Sequence, residues 1–299
     1  MTTRRNVAIG AVTLALAGVA LLWLQLPGIG AGALLHPARR TGVATPPAHC
    51  VNAELPGDGI ALRGWLCGTP LTSRGTLVVL HGVADTRRST APIVERYLAR
   101  GFDVIAYDSR AHGESGGETC TYGFYEKRDL RRVIDAFGHG PIVLLGSSLG
   151  GAVALQEAAI DPRVSVVVAA ESFSDLRTVA TERAPFVFTP WSITQAFDLA
   201  EQRGRFRVDE VSPRDAAKSI SIPVLLVHGA ADVETPPDHS RRIHDALKGP
   251  KRLLLVPGVG HNRSLQESVW PEIDTWIDQA LMAKVPAGLQ SKTPPTNPR

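Results

Sequence analysis

The chain has 299 residues, of which 44% are hydrophobic and 20% are charged, and its net charge at pH 7 is +3. A chain of this length and composition can bury one large α/β core or two modest ones. Its arginines occur as scattered pairs without interleaved aromatic residues, so the sequence lacks the basic surface that is typical of nucleic-acid-binding proteins. We therefore expect no nucleic-acid partner.

The first 27 residues are predicted to form a membrane anchor or a signal segment. An uncharged apolar run over residues 7–26 follows Arg4 and Arg5, and at about 1.5 Å per residue a helix of this length spans the roughly 30 Å hydrocarbon core of a bilayer. Because the cations precede the run, we expect a membrane-anchored chain whose bulk lies outside the cytoplasm. The alternative is secretion after cleavage near residues 31–33.

Residues 28–48 are predicted to be a linker that leads into a folded domain over residues 49–282. This domain begins with two apolar segments on either side of a proline- and glycine-containing turn at residues 56–59, a pattern typical of a β-hairpin. Folding about the turn places Cys50 nearly opposite Cys67, so a disulfide between them is a hypothesis for a domain outside the cytoplasm. The alternative is that both are ordinary small apolar residues.

From residue 76 onward, short continuous apolar runs alternate with helix-prone segments. Such runs are typical of parallel strands that are covered on both faces. Together with the antiparallel hairpin, they predict an α/β fold with a mostly parallel, doubly wound sheet of about eight strands. The predicted parallel strands are residues 77–81, 102–107, the run that starts at residue 143, 164–170, 222–229 and 252–256.

Residues 172–213 interrupt this alternation and contain no clear strand. They are rich in aromatic and charged residues, and an insertion of this kind can fold over a site as a small helical lid. The alternative is a helical surface excursion whose aromatic residues only pack. Residues 283–299 are rich in proline and polar residues and are predicted to be a disordered tail.

The apolar run that starts at residue 143 ends in the pattern Gly-x-Ser-x-Gly and leads directly into a helix-prone segment. This layout predicts a sharp turn between a strand and a helix, where a serine takes a strained backbone conformation that exposes its hydroxyl. Gly146 and Gly150 leave room where the chain doubles back. Ser148 is therefore the candidate nucleophile, and the alternative is an idle serine in a glycine-rich turn.

A serine hydroxyl needs an adjacent base, and two later strands are followed by residues that suit this chemistry. Asp232 and His261 each follow an apolar run and lie among small residues, so both are expected at the same sheet edge as Ser148. The imidazole would accept the serine proton, and a buried carboxylate would fix the tautomer of the ring. Glu171 and Asp175 are reserve candidates for the acid.

These motifs, and their order of serine, acid and histidine, resemble those of the α/β-hydrolase superfamily. The chain is similar in particular to bacterial membrane-anchored esterases and lipases and to serine aminopeptidase-like hydrolases. The likeness covers about residues 49–280. The residues that carry it are 81–82, 108–117, 146–150, 228–232 with 235–236, and 260–262.

The resemblance implies where the reaction would be stabilised. The oxyanion hole would consist of the backbone N–H groups of Val83 and Leu149. We interpret His81, His112 and His228 as residues that pack loops, because no second ligand lies at metal-like spacing from them.

The resemblance also implies a serine hydrolase that cleaves a carboxylic ester of a small molecule through an acyl-enzyme intermediate, with no cofactor and no metal. One alternative is a peptidase or amidase that acts on small peptides. Another is a catalytically silent scaffold that binds a partner. The natural substrate, the acyl length and the oligomeric state stay open at this point.

Overall fold

The computed structural model describes residues 23–42 and 44–283, together with Gly18 and Leu21, so the predicted tail over residues 284–299 lies outside the described residues. Within the described part, the strands are β1 Cys50–Pro56, β2 Ala61–Cys67, β3 Thr76–Leu80, β4 Asp103–Tyr107, β5 Ile142–Ser147, β6 Val164–Ala170, β7 Val224–Gly229 and β8 Lys251–Val256. They form one sheet in the order β1-β2-β4-β3-β5-β6-β7-β8. The β1-β2 and β2-β4 pairs are antiparallel, and the remaining pairs are parallel.

Helices cover both faces of this sheet. The described helices are α1 over residues 23–35, α2 Ala91–Leu98, α3 Glu126–Phe137, α4 Leu149–Ala158, α5 Leu176–Glu182, α6 Pro190–Gly204, α7 Pro213–Ala217, α8 Asp238–Ala246 and α9 Trp270–Met282. Helices α3, α4, α7 and α8 pack on one face, where Val78 and Leu144 are buried. Helices α2 and α9 pack on the other face, where Leu77 and Val143 are buried. Because neighbouring residues of one strand are buried on opposite faces, the strand sequences are continuously apolar, and the predicted fold class is confirmed.

The antiparallel edge of the sheet is the predicted hairpin. Its register pairs Cys50 with Cys67 across β1 and β2, and a disulfide joins the two residues. The hypothesis of a bridge is therefore confirmed. The third cysteine of the chain, Cys120, is free and buried.

The insertion over residues 172–213 contains α5 and α6 and packs against α1. Leu176 of α5 and Phe197 of α6 share an apolar cluster with Ala31 and Leu35 of α1. The insertion, which we call the lid, is thus helical as predicted. Its Phe173, Phe197 and Phe206 belong to the core that joins it to α1, whereas Phe186 and Trp191 are exposed.

The prediction of a membrane-spanning segment over residues 7–26 needs correction. Among the residues that the structure describes, no helix combines the length and the apolar character that crossing a bilayer requires. The early part of that segment, residues 7–17, lies outside the described residues. Beyond the run, the later part of α1 packs against the lid, where Ala31 and Leu35 are fully buried. Residues 28–35, which the sequence assigned to a linker, are part of this helix.

Candidate active site

Ser148 lies in the turn between β5 and α4, with φ +50° and ψ −112°. Non-glycine residues rarely adopt positive φ, and such strain is concentrated at functional turns. A Cβ atom at Gly146 would lie 2.2 Å from the carbonyl carbon of Gly150, and one at Gly150 would lie 2.2 Å from the carbonyl oxygen of Leu80. Both positions therefore require glycine. The N–H of Leu149, the first residue of α4, has no acceptor inside the helix because of its position.

The side chains of Ser148, His261 and Asp232 form a hydrogen-bonded chain at the carboxyl edge of the sheet. Nε2 of His261 lies 3.1 Å from the Ser148 hydroxyl oxygen, and Nδ1 lies 2.7 Å from Oδ2 of Asp232. Ser148 is 4% exposed and Asp232 is 3% exposed. With Nδ1–H donating to the carboxylate, Nε2 is left as an acceptor for the hydroxyl proton.

Several donors converge on the carboxylate of Asp232. Its Oδ1 accepts the backbone N–H groups of Glu234 and Thr235, each at 2.9 Å, and Nε2 of His228 lies 3.3 Å from Oδ2. Burial raises the pKa of Asp232, but the hydrogen bonds with His228, His261 and the backbone outweigh it and hold the pKa well below its ordinary value. The carboxylate therefore stays ionised at neutral pH. The sequence did not predict that His228 contacts the acid.

The loop after β3 lies directly beside the nucleophile, since a Cβ atom at Gly82 would be 3.6 Å from that of Ser148. Nε2 of His81 accepts the Ser109 N–H at 2.9 Å, so Nδ1 carries the proton and donates to the Gly82 carbonyl at 2.7 Å. That carbonyl and the Val83 N–H belong to one planar peptide. His81 therefore sets the direction of the predicted Val83 donor, a contact beyond the loop packing that the sequence predicted.

The two histidines of this region are neutral. Burial lowers the pKa of His81 below its ordinary value, and burial together with the neighbouring His81 lowers the pKa of His112 to about 4. Their rings pack edge to face with centroids 5.3 Å apart.

Across the described residues, no group of three His, Cys, Asp or Glu side chains is arranged to hold a metal ion.

A buried carboxylate holds the loop that carries His261. Glu171, which is 1% exposed, accepts the three consecutive backbone N–H groups of residues 262–264 at 2.6, 3.0 and 2.8 Å. This reserve candidate thus contacts the backbone beside the histidine. The other, Asp175, accepts the Thr178 N–H at 2.8 Å and caps α5. Asp232 is the carboxylate that bonds the imidazole ring.

Arg183, which follows α5, reaches the histidine from the lid. Its Nη2 lies 3.5 Å from Nε2 of His261, the nitrogen that also contacts Ser148. Its Nε donates to the Glu234 carbonyl at 2.8 Å, and Nη2 donates to the Thr235 hydroxyl. The sequence did not predict this residue, because an arginine in an insertion without a regular pattern carries no signal of the loop that it will reach.

An apolar cavity of about 320 Å³ lies between α1 and the lid helices α5 and α6. Most of its lining is aliphatic or aromatic, as at Leu34, Leu176 and Phe197. Tyr122 contributes a phenol, and among the described lining residues Arg183 is the one that carries a charge. Through this arginine the cavity adjoins the hydrogen-bonded chain of the candidate site.

The sequence and the fold are similar to those of known proteins. A model described as the α/β-hydrolase fold matches residues 75–218, and a model described as TAP-like protein matches residues 202–286. The uncharacterized protein YqkD of Bacillus subtilis is 30% identical over 65% of this chain and 67% of its own length. The 2,6-dihydropseudooxynicotine hydrolase of Paenarthrobacter nicotinovorans is 26% identical over 69% of this chain and 58% of its own length. The esterase Pf2001 of Pyrococcus furiosus matches with a TM-score of 0.66, at 24% identity, over 83% of this chain and 98% of that structure.

Proposed function

Since the chain belongs to the α/β-hydrolase family, we propose that it is a serine hydrolase that cleaves carboxylic esters with Ser148 as nucleophile, His261 as base and Asp232 as its orienting acid. The observation that carries the proposal is the continuous hydrogen-bonded path from the Ser148 hydroxyl to the Asp232 carboxylate. The strained strand-to-helix turn directs the serine hydroxyl away from the sheet, and this path supplies the base that the hydroxyl needs.

In the proposed reaction, the Ser148 oxygen attacks the ester carbonyl while its proton moves to Nε2 of His261. The ionised Asp232 stabilises the imidazolium through Nδ1–H. As the tetrahedral intermediate collapses, Nε2 returns the proton to the leaving alcohol, and the acyl group stays on the serine. Water then attacks the acyl-enzyme while Nε2 of His261 accepts one of its protons. Nε2 returns this proton to the Ser148 oxygen as the carboxylic acid is released. Every proton that leaves a nucleophile is thereby returned to a leaving group.

The negative oxygen of the intermediate would be held by two backbone donors, the N–H groups of Val83 and Leu149. The contact between His81 and the Gly82 carbonyl supports this assignment, because it orients the Val83 donor before the substrate arrives. Donors that are preorganised in this way typically contribute about 3–4 kcal/mol each to lowering the barrier.

We also propose that the domain works outside the cytoplasm. The disulfide between Cys50 and Cys67 supports this location, because such bonds persist in oxidising compartments and are rare in the cytosol. Thiol labelling of protein that was purified and unfolded without reductant should find one reactive cysteine. Three reactive cysteines would contradict the proposal.

The test of the hydrolase proposal is turnover of a short-chain nitrophenyl ester and labelling by a fluorophosphonate probe. Ser148→Ala should abolish both, and Ser147→Ala, which removes the neighbouring hydroxyl, is the matched control that should keep them. Asp232→Asn should lower kcat by about 10⁴-fold because the ring then adopts the wrong tautomer.

Three outcomes would reject or revise the proposal. Unchanged turnover in Ser148→Ala would reject the nucleophile. A folded wild-type protein that is not labelled would indicate a silent scaffold that binds a partner. Faster turnover of aminoacyl anilides than of matched esters would reassign the chain as a peptidase.

A further inference from the structure

The contact between Arg183 and His261 places a positive charge where catalysis creates another. The guanidinium lies 3.5 Å from Nε2 of His261, the atom that would take the proton from Ser148. Like charges at this separation repel, so an unpaired guanidinium opposes formation of the imidazolium. An anion that pairs with Arg183 during the reaction would remove this repulsion.

Among the described residues, no carboxylate oxygen lies within 4.0 Å of the side-chain nitrogens of Arg183. Asp232 is bonded to two histidines and two backbone N–H groups. Glu182 is the neighbour of Arg183 in sequence, and its Oε2 lies 2.8 Å from Nε2 of His239. Arg183 itself donates to a carbonyl and a hydroxyl, both of which are neutral acceptors. Its charge is thus available to an anionic ligand.

The position of Arg183 also identifies the part of the substrate that it faces. In a serine hydrolase the histidine returns its proton to the leaving group, which therefore departs beside Nε2. A side chain that contacts Nε2 from the lid lies on this side of the reacting carbonyl. A guanidinium pairs well with a carboxylate, because its planar fork matches the two oxygens.

We propose that Arg183 binds a carboxylate on the leaving group, so that the preferred substrates are esters of hydroxy acids in which an apolar body lies next to the carboxylate. The inference rests on the proposed function and names its substrate class. The cavity between α1, α5 and α6 accepts the apolar body, since it is lined mostly by aliphatic and aromatic side chains and Arg183 is part of its lining.

The experiment compares two substrates that differ in one group: the butyrate ester of 3-hydroxyoctanoate and the butyrate ester of the corresponding primary amide. Wild-type protein should hydrolyse the carboxylate with the higher kcat/KM. Arg183→Met, which keeps an unbranched apolar stem but removes the charged guanidinium, should lower kcat/KM for the carboxylate by about 10- to 100-fold, the range expected for one charge-assisted hydrogen bond. The same variant should raise kcat/KM for the amide several-fold, because the amide leaves Arg183 unpaired and the substitution removes the guanidinium that repels the imidazolium.

The control variant is Arg241→Met, which removes an exposed arginine that pairs with Asp238 on α8 and should change neither substrate. Equal losses for both substrates in Arg183→Met, or equal rates for both in wild-type protein, would overturn the role of Arg183. Fluorophosphonate labelling of Ser148 separates this failure from failure of the hydrolase proposal. Labelled protein without a carboxylate preference refutes only the inference about Arg183, and unlabelled protein that turns over neither ester refutes both.

Discussion

Glu171 offers a sharp test of how the histidine is positioned, because it acts through the backbone of the His261 loop and touches neither the ring nor the nucleophile. One of its carboxylate oxygens accepts the Asn262 N–H at 2.6 Å, and the other accepts the next two N–H groups. In Glu171→Gln the side chain keeps its size, but one oxygen becomes an NH₂ group. With the remaining oxygen towards residues 263 and 264, the NH₂ group faces the Asn262 N–H, donor against donor.

The size of the effect follows from these contacts. The variant loses a charge-assisted hydrogen bond inside a buried site and leaves one N–H unpaired, which together should lower the free energy of unfolding by roughly 2–4 kcal/mol. Movement of the loop would also shift Nε2 of His261 away from Ser148. Since a misplacement of about 1 Å can reduce a rate by 10²-fold, we expect kcat to fall by about 10- to 100-fold while KM changes little.

Urea unfolding measures the stability, and ester turnover together with the rate of fluorophosphonate labelling measures the site under conditions where the protein is folded. Asp175→Asn is the matched control: it removes the same charge four residues later, but asparagine still caps α5, so stability should change by less than about 0.5 kcal/mol. Wild-type labelling and an unchanged urea midpoint in Glu171→Gln would refute the reasoning.

Two further predictions concern stability. Replacing Cys50 and Cys67 by alanine removes a bridge between residues 17 positions apart and should lower the free energy of unfolding by about 3 kcal/mol; reduced wild-type protein should match the variant in urea, and oxidised wild-type protein that is no more stable would contradict this. Burial and His81 lower the pKa of His112 to about 4 from 6.5, so the stability that its neutral form contributes is present above pH 6.5 and is lost as the pH falls through 4. Between pH 6.5 and pH 4 the free energy of unfolding of His112→Asn should therefore fall by about 3 kcal/mol less than that of wild-type protein. Parallel pH profiles of the two free energies would contradict this prediction.

Much of the fold was predictable because its signals are local. The hairpin turn sets the register that places Cys50 opposite Cys67, and continuous apolar runs report strands that are buried on both sides. The meeting of Ser148, Asp232 and His261 follows from the topology, since loops after parallel strands share one edge of the sheet. None of these inferences required knowledge of a distant contact.

The remaining features depend on contacts that no local pattern encodes. Apolar character alone does not show whether a segment spans a bilayer, and no helix among the described residues is long and apolar enough to do so, so the predicted membrane span was wrong. Arg183 meets His261 across 78 positions, and Glu171 meets the loop after His261 across 91 to 93. An acidic residue directly after a buried strand was a usable signal for Glu171, because a buried carboxylate must be satisfied. It did not identify the partner.

The helix α1 precedes every strand in the chain, yet it forms one wall of the cavity that adjoins the candidate site. At Gly30 a side chain would protrude towards Phe188, since a Cβ atom there would lie 2.9 Å from its ring. The atoms that such a Cβ would meet belong to Phe188 and Ala196, which line the cavity, so we expect added bulk at Gly30 to narrow the cavity. Under the proposed function, substitutions in the leading helix would therefore change which substrates the cavity accepts while the reacting residues stay in place.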